Sequence, residues 1–355
     1  MRARTLLSGV IAGVLTAGLT AGLFSAPAQA ADPVQVVELP ISFAVKNTNH
    51  TSVPCASDGK DYTVNGVIVG PKAALAGGED VTLYLHAVTW NSDYFNLDIP
   101  DHNYVRALAV LGHTSIAVDR LGYGKSGKPE GLATCFGSEA DVAGQMVDAL
   151  KSGNYTVAGH KAGAYQRVYL GGSSVGAMIA NIAAFTFHNV DGVINQGFGD
   201  FAASLYAGHE VFDADSRCVA GGDPGAPKNY VTFAKDTRDT FYFSDATPEV
   251  RAKVPAPRPD PCGQIESVLA GIGADIAHLG EINVPVLLVF GTEDAVFPPP
   301  AVHQEAARYA GSPEVTVAGI PGASHFPVLE RSFGLLIGAT AQWLDNRQKV
   351  TPPEA

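Results

Sequence analysis

The chain has 355 residues, of which 46% are hydrophobic, 8% aromatic and 16% charged. Its 35 acidic and 23 basic residues give a formal charge of −12 at pH 7, and an acidic surface repels nucleic-acid phosphates and anionic membranes. No nucleic-acid partner and no stable membrane association are therefore expected. The length suits one large α/β domain with an insertion.

The first 30 residues predict a secretory signal peptide. Arg2 and Arg4 precede an apolar run at residues 6–24, and the segment closes on Ala28 and Ala30, small residues typical of a cleavage site. Cleavage after Ala30 leaves 21 basic and 35 acidic residues, a formal charge of −14, and predicts a secreted, extracellular protein. The alternative is an uncleaved anchor, because the apolar run is long enough to span a bilayer.

Four cysteines follow the expected cleavage site, in an oxidising compartment. They are Cys55, Cys135, Cys218 and Cys262. This even number predicts two disulfides, for which the sequence allows three connectivities. Cys218 and Cys262 bracket one loop-rich region, which favours pairing them with each other and Cys55 with Cys135. No Cys-x-x-Cys spacing suggests a metal, and neither a metal nor an organic cofactor is expected.

From about Tyr62 onward, short β-rich runs alternate with apolar-periodic stretches. This alternation predicts a mostly parallel sheet with helices on both faces. The predicted strands are residues 62–69, 81–86, 114–118, 167–170, 192–196, 286–290 and 314–318. The predicted helices are residues 104–111, 139–150 and 333–344.

The alternation stops between residues 200 and 280, where Pro, Gly, Asp and aromatic residues accumulate. We expect an insertion here, which divides the core into residues 31–199 and 281–355. One interpretation is a solvent-exposed excursion; the interpretation we favour is a lid over a site at the strand ends, where α/β sheets bind ligands. Its aromatic residues indicate an apolar inner surface. They are Tyr230, Phe233, Phe241, Tyr242 and Phe243.

A G-x-S-x-G motif lies in the run GGSSVG at residues 171–176, directly after the predicted strand at 167–170 and before an apolar helical stretch. Gly172 and Gly176 remove side chains that would collide on so sharp a turn. The turn lifts Ser174 clear of the sheet, beside the positive end of the following helix. This elbow predicts Ser174 as a nucleophile.

A serine nucleophile needs a base within hydrogen-bond reach and a carboxylate that orients the base. Ser173 is rejected as the nucleophile because it is out of register with the two glycines. The strand that ends at residue 290 leads to Glu293 and Asp294, and a later strand leads to His325. The chain order of serine, acid and histidine that accompanies a G-x-S-x-G elbow between a strand and a helix is therefore satisfied.

Three further motifs resemble those of the α/β-hydrolase superfamily, and in particular its secreted bacterial serine hydrolases of the esterase and lipase kind. GTED at residues 291–294 is similar to the family's Gly-x-x-Asp acid loop, and GASH at 322–325 is similar to its histidine loop. DRLGYGKSGKP at 119–129 is similar to the D-R-x-G-x-G-x-S loop. The resemblance extends over residues 62–344.

The resemblance implies an α/β fold, with a doubly wound, mostly parallel sheet and a lid insertion after the sixth strand. It selects Asp294 over Glu293 as the acid, and it implies a catalytic triad of Ser174, Asp294 and His325. Each of these residues matches a family motif at its own position.

The run LHAV at residues 85–88 resembles the family's loop after its third strand, which usually reads His-Gly; here Ala87 replaces the glycine. By register, the resemblance implies that the backbone N–H groups of Val88 and Val175 form the oxyanion hole. His86 itself is expected to be a structural, hydrogen-bonded residue.

The triad predicts cleavage of a carboxylic ester, or a related acyl bond, in a small and apolar substrate through an acyl-enzyme. Alternatives on the same triad are a serine exopeptidase or aminoacyl amidase, a lactonase, a carbon–carbon hydrolase and a cofactor-free haloperoxidase. Asp213, Asp215 and Asp223 would suit an exopeptidase that binds a free amino terminus. The non-enzyme alternative is a catalytically silent binding module. Epoxide hydrolases and haloalkane dehalogenases are disfavoured, since they carry a carboxylate where this chain has Ser174.

Overall fold

The computed structural model describes residues 34–201, 203–299 and 301–348, so the predicted signal peptide lies outside the described residues. The strands are β1 (Val36–Lys46), β2 (Asp61–Pro71), β3 (Gly78–Leu85), β4 (Ser115–Val118), β5 (Thr156–Val157), β6 (His160–Lys161), β7 (Tyr165–Ser173), β8 (Gly192–Gln196), β9 (Tyr230–Val231), β10 (Asp260–Pro261), β11 (Val286–Gly291) and β12 (Val315–Ile320). The α-helices are α1 (Tyr104–Val110), α2 (Phe136–Ser152), α3 (Val175–Phe187), α4 (Leu205–Val219), α5 (Arg238–Tyr242), α6 (Pro248–Lys253), α7 (Cys262–Glu266), α8 (Val268–His278), α9 (Ala301–Ala306) and α10 (Phe333–Gln348).

Ten strands form one sheet in the order β12-β11-β8-β7-β3-β4-β2-β1-β5-β6. The six strands from β12 to β4 are parallel, whereas β2, β1, β5 and β6 extend the sheet with antiparallel pairs. The chain passes from β3 through α1 to β4, then returns through α2 to β7 on the other side of β3. Because such crossovers are right-handed, this reversal places α1 and α2 on opposite faces. The carboxyl ends of β3 and β7 flank the switch point, where α/β sheets bind ligands.

The structure confirms the doubly wound, mostly parallel sheet, and each of the predicted strands and helices overlaps an observed one. Strand β1 was not predicted, although it pairs with β2 from Val36, opposite Pro71, to Lys46, opposite Asp61. Pro40 lies within β1, and a proline argues against a strand because it lacks the N–H that a strand normally donates. The sequence pattern therefore does not indicate this strand. The Pro40 carbonyl still accepts a hydrogen bond from the backbone of Ala158.

The segment between β8 and β11 is mainly helical. It contains α4 to α8 and the short antiparallel pair of β9 and β10. This segment follows the sixth strand of four or more residues, because β1 precedes the five strands that were predicted before residue 200. Among the described residues, no helix is long and apolar enough to cross a bilayer.

Two disulfides cross-link the described chain, Cys55 with Cys135 and Cys218 with Cys262, which is the expected pairing. Cys218 lies in the last turn of α4, and Cys262 begins α7. The second disulfide therefore joins two helices of the segment between β8 and β11. Several apolar side chains of this segment are exposed, among them Leu205, Phe212 and Leu269.

We expect the double variant Cys218→Ala/Cys262→Ala to unfold at a lower temperature than the unmodified protein. A cross-link that closes a loop of 44 residues restricts the unfolded chain by about 4 kcal/mol, equivalent to a drop in melting temperature of about 10 °C. Circular dichroism during heating measures the change, with Ser216→Ala on the exposed side of α4 as the control. An unchanged melting temperature in the double variant would contradict this prediction.

Candidate active site

Ser174 lies on the turn between β7 and α3, as predicted. Its backbone has φ 54° and ψ −127°, a conformation that residues other than glycine rarely adopt. The Ser174 N–H donates to the Gln196 carbonyl at 2.8 Å, which fixes the turn against β8. Ser173, in contrast, is fully buried at the end of β7, and its hydroxyl has no hydrogen-bond partner in the described part of the chain. The geometry therefore favours Ser174 over Ser173 as the nucleophile.

Gly172 and Gly176 allow α3 to pack directly on the strand ends. A Cβ at Gly172 would overlap the backbone of Gly176, and a Cβ at Gly176 would overlap the Leu85 carbonyl at the end of β3. Both positions require glycine for this close approach. The same contact brings the turn at Ser174 against the loop that follows β3.

His325 and Asp294 meet in the interior. His325 Nδ1 lies 2.8 Å from Asp294 Oδ2, and neither side chain is exposed. The other Asp294 oxygen accepts hydrogen bonds from the backbone N–H groups of Val296, at 2.7 Å, and Phe297, at 3.1 Å. Glu293 is exposed on the same loop. The structure thus pairs His325 with Asp294 rather than with Glu293, and the held carboxylate fixes the orientation of the imidazole.

The imidazole of His325 packs near the turn that carries Ser174. A Cβ at Gly197, the residue after the acceptor of the Ser174 N–H, would lie 3.7 Å from His325 Cε1. Phe241 stacks on the imidazole with ring centroids 5.2 Å apart and lines the same cavity as Ser174. His325 Nε2 is buried and makes no hydrogen bond to Ser174 or to any other described residue. Hydrogen bonds between catalytic groups often tighten only when substrate is bound.

The two residues expected to supply the oxyanion donors, Val88 and Val175, line the same cavity as Ser174. Val175 begins α3, so its N–H lies in the first turn and has no partner within the helix. Within the described residues, neither amide donates a hydrogen bond to the protein. Free backbone N–H groups are the donors that an oxyanion hole requires.

His86 is structural, as expected. Its Nδ1 lies 2.8 Å from the Ala87 carbonyl, and its Nε2 accepts the backbone N–H of Arg120 at 3.1 Å. Burial, with the nearby Arg120 guanidinium, holds the pKa of His86 well below its usual value, so the ring is neutral. Arg120 also donates to the His86 carbonyl at 3.0 Å. The run at 119–129 thereby supports the loop that carries Val88.

Asp260, which the sequence analysis missed, anchors the oxyanion loop. Thr89 has a positive φ of 64°, and its backbone N–H donates to Asp260 Oδ1 at 2.7 Å. The Tyr123 hydroxyl and the Phe233 N–H also donate to Asp260. Burial raises the pKa of Asp260 to about 6 despite these donors. Nothing near Asp260 in sequence marks this role, because its partner lies 171 residues away.

An apolar cavity of about 500 Å³ opens at Ser174. Its walls come from both the sheet and the segment between β8 and β11. They include Phe136, Phe198, Phe233, Phe241, Ile272 and Phe297. The aromatic inner surface expected for this segment is therefore partly present. If the carbonyl carbon of a substrate lies at Ser174, this cavity can accommodate an apolar chain attached to that carbon.

The model of the "Alpha/beta hydrolase family" matches residues 82–336. This span includes every residue of the Ser174, Asp294 and His325 arrangement. No protein of curated function matches the chain in sequence.

Solved structures of similar fold include several hydrolases. An esterase from Exiguobacterium antarcticum is 19% identical, with a TM-score of 0.56 over 82% of this chain and 97% of that one. A thermophilic esterase from Thermogutta terrifontis is also 19% identical, with a TM-score of 0.52 over 86% of this chain and 98% of that one. E-2-(Acetamidomethylene)succinate hydrolase is 18% identical, with a TM-score of 0.54 over 86% and 99%. At these identities the likeness concerns the fold.

We expect Asp294→Asn to reduce the hydrolytic kcat by about 10³-fold or more, because an amide no longer holds the imidazole in the required tautomer. Glu293→Gln is the matched control on the same loop and should retain activity within about twofold, since surface substitutions have small effects. Initial rates on a p-nitrophenyl ester compare the two variants. A larger loss in Glu293→Gln would show that the acid is assigned one residue too late.

Proposed function

The chain belongs to the α/β-hydrolase family, and from this premise we propose that it cleaves carboxylic esters through an acyl-enzyme on Ser174. The observation that supports this most directly is the buried pair of His325 and Asp294, which leaves His325 Nε2 without a partner among the described residues, together with the strained turn of Ser174. Such an arrangement has no structural purpose that an apolar pair would not serve better, because it buries a carboxylate and an imidazole together.

In the proposed reaction, the Ser174 hydroxyl attacks the ester carbonyl carbon while His325 Nε2 takes its proton. The carbonyl π electrons move onto the oxygen, which accepts hydrogen bonds from the N–H groups of Val88 and Val175. The intermediate collapses with loss of the alkoxide, which receives the proton from His325. Water then attacks the acyl-enzyme by the same steps and releases the acid. Asp294 keeps its charge and stabilises the imidazolium.

The walls of the cavity support the proposal that the enzyme recognises an apolar acyl group of its substrate. Aromatic and aliphatic side chains dominate its walls, and charged side chains are confined to Asp200, Asp215 and Glu266. Phe212 and Leu269, each 72% exposed, belong to the same lining. An apolar surface that continues from the cavity to the solvent suits an ester whose chain extends beyond the enclosed space.

Two of the three acids considered for an exopeptidase form ion pairs with Arg217. Arg217 donates to Asp213 Oδ2 at 2.8 Å and to Asp223 Oδ1 at 2.6 Å. Of the three acids considered, Asp215 alone lines the cavity. A pocket for a substrate ammonium group normally presents free carboxylates, so ester cleavage is the better supported proposal.

We further propose that residues 200–280 act as a lid between the two core parts, residues 31–199 and 281–355, and that the protein is secreted. The lid proposal is supported by Phe233, Phe241 and Ile272, which belong to this segment and line the cavity at Ser174. Two disulfides are compatible with an oxidising extracellular location.

We expect Ser174→Ala to remove nearly all ester hydrolysis, by about 10³-fold or more, because the acyl-enzyme cannot form without the hydroxyl. Ser173→Ala is the matched control one residue away and should keep most of the activity. A fluorophosphonate probe should label the unmodified protein and Ser173→Ala but not Ser174→Ala. An unlabelled, inactive wild type in a screen of esters, lactones and aminoacyl amides would favour a silent binding module instead.

We expect Ala207→Leu to shorten the acyl chain that the enzyme accepts. Ala207 is a buried residue of α4 and lines the cavity, so a larger side chain occupies space that the substrate needs. One methylene in a filled pocket changes kcat/KM by about tenfold or more. The ratio of kcat/KM for p-nitrophenyl octanoate to that for the acetate measures the effect. The control is Ser216→Leu on the exposed side of α4. Equal losses on both esters in Ala207→Leu would contradict an acyl chain bound here.

A further inference from the structure

Three carboxylates converge beside the cavity, outside the catalytic arrangement. Asp200, Asp275 and Glu305 each place one oxygen so that the three atoms lie within 4.8 Å of one another. They come from distant parts of the chain. Asp200 follows β8, Asp275 lies on α8, and Glu305 lies on α9. Asp275 and Glu305 are completely buried.

Several oxygens of this cluster have no protein partner. Asp275 Oδ1 and Glu305 Oε1 make no hydrogen bond within the described residues, and neither does any side-chain oxygen of Asp200. Buried carboxylate oxygens without a donor are rare in folded proteins because each carries the full cost of lost hydration. The remaining oxygens are held, since Asn181 Nδ2 donates to Asp275 Oδ2 at 3.0 Å and the Asp200 N–H donates to Glu305 Oε2 at 2.9 Å. These two bonds hold the carboxyl groups of Asp275 and Glu305 in place.

The cluster forms no ion pair. Among the described residues, no Lys, Arg or His nitrogen lies within 4.0 Å of a side-chain oxygen of the three acids. The guanidinium of Arg308, three residues after Glu305, lies over the ring of Phe201 at 4.0 Å instead. The fold therefore holds three carboxyl groups together without a cation in direct contact.

We propose that Asp200, Asp275 and Glu305 bind one calcium ion. Calcium is bound by oxygens at about 2.4 Å. Oxygens that lie within 4.8 Å of one another, as these three do, are close enough to bind one such ion together. An all-carboxylate set without His or Cys disfavours zinc and copper. Magnesium keeps several waters and demands a regular octahedron, whereas these buried acids from three elements suit the variable geometry of calcium.

The ion joins the core to the lid segment. Asp275 belongs to α8, which also supplies Ile272 to the cavity wall, and Glu305 follows the loop that carries Asp294. Binding therefore stabilises the folded protein and holds the cavity wall in place. This inference rests on the carboxylate cluster and not on the proposed ester hydrolysis.

The test uses the full mature chain, stripped with EDTA and dialysed. Isothermal titration with CaCl2 should show one ion per chain. At an excess of about 100 times the Kd, the melting temperature should rise by roughly 5 °C or more. Asp275→Asn and Glu305→Gln should each abolish this rise. Without metal, Asp275→Asn should melt no lower than wild type, because a neutral amide is no more costly to bury beside two other acids than a carboxyl group.

The matched control is Asp236→Asn, an exposed acid of the same lid segment, which should bind calcium like the wild type. Ser174→Ala should also bind it unchanged, so a failure of the proposed hydrolysis leaves this result intact. No binding and no change in melting temperature in the wild type would overturn the proposal, as would a response that survives in both Asp275→Asn and Glu305→Gln. A response to MgCl2 equal to that to CaCl2 would overturn the assignment to calcium.

Discussion

The close packing of α3 against the ends of β7 and β3 is the constraint on which the candidate site depends. With glycine at 172 and 176, the helix approaches the sheet until its backbone touches that of Leu85. The same region contains the positive-φ conformation of Ser174, and the contact brings the start of α3 against the end of β3, where the loop to Val88 begins. The residues proposed as nucleophile and oxyanion donors thus lie around one backbone contact.

The segment between β8 and β11 completes the site rather than merely covering it. Asp260 holds Thr89, and Phe241 packs on His325. The Cys218–Cys262 disulfide ties two of its helices together. A segment with few strands can carry precise contacts because a small number of buried polar bonds and cross-links restrict it.

The sequence could predict those parts of the site that local patterns encode. Ser174, Asp294 and His325 each follow an apolar strand, and turn glycines mark where the strands end, so their convergence at one edge follows from parallel topology. Strand β1 was not predicted because Pro40 disrupts its sequence pattern. The hydrogen bonds of Thr89 with Asp260 and of Asp200 with Glu305 join residues 171 and 105 positions apart. No local signal reports such contacts, since each acid alone resembles an ordinary surface residue.

The hydrogen bond from Thr89 to Asp260 limits how this protein can be recombined with its relatives. A chimera that replaced residues 200–280 with another family member's segment would remove the acceptor for the Thr89 N–H, although every residue proposed for catalysis would remain. Thr89 would keep a strained φ without the bond that holds it. An exchange of substrate range by segment grafting therefore succeeds only where the donor segment supplies a carboxylate at the position of Asp260, or where the loop at Val88 is transferred with it.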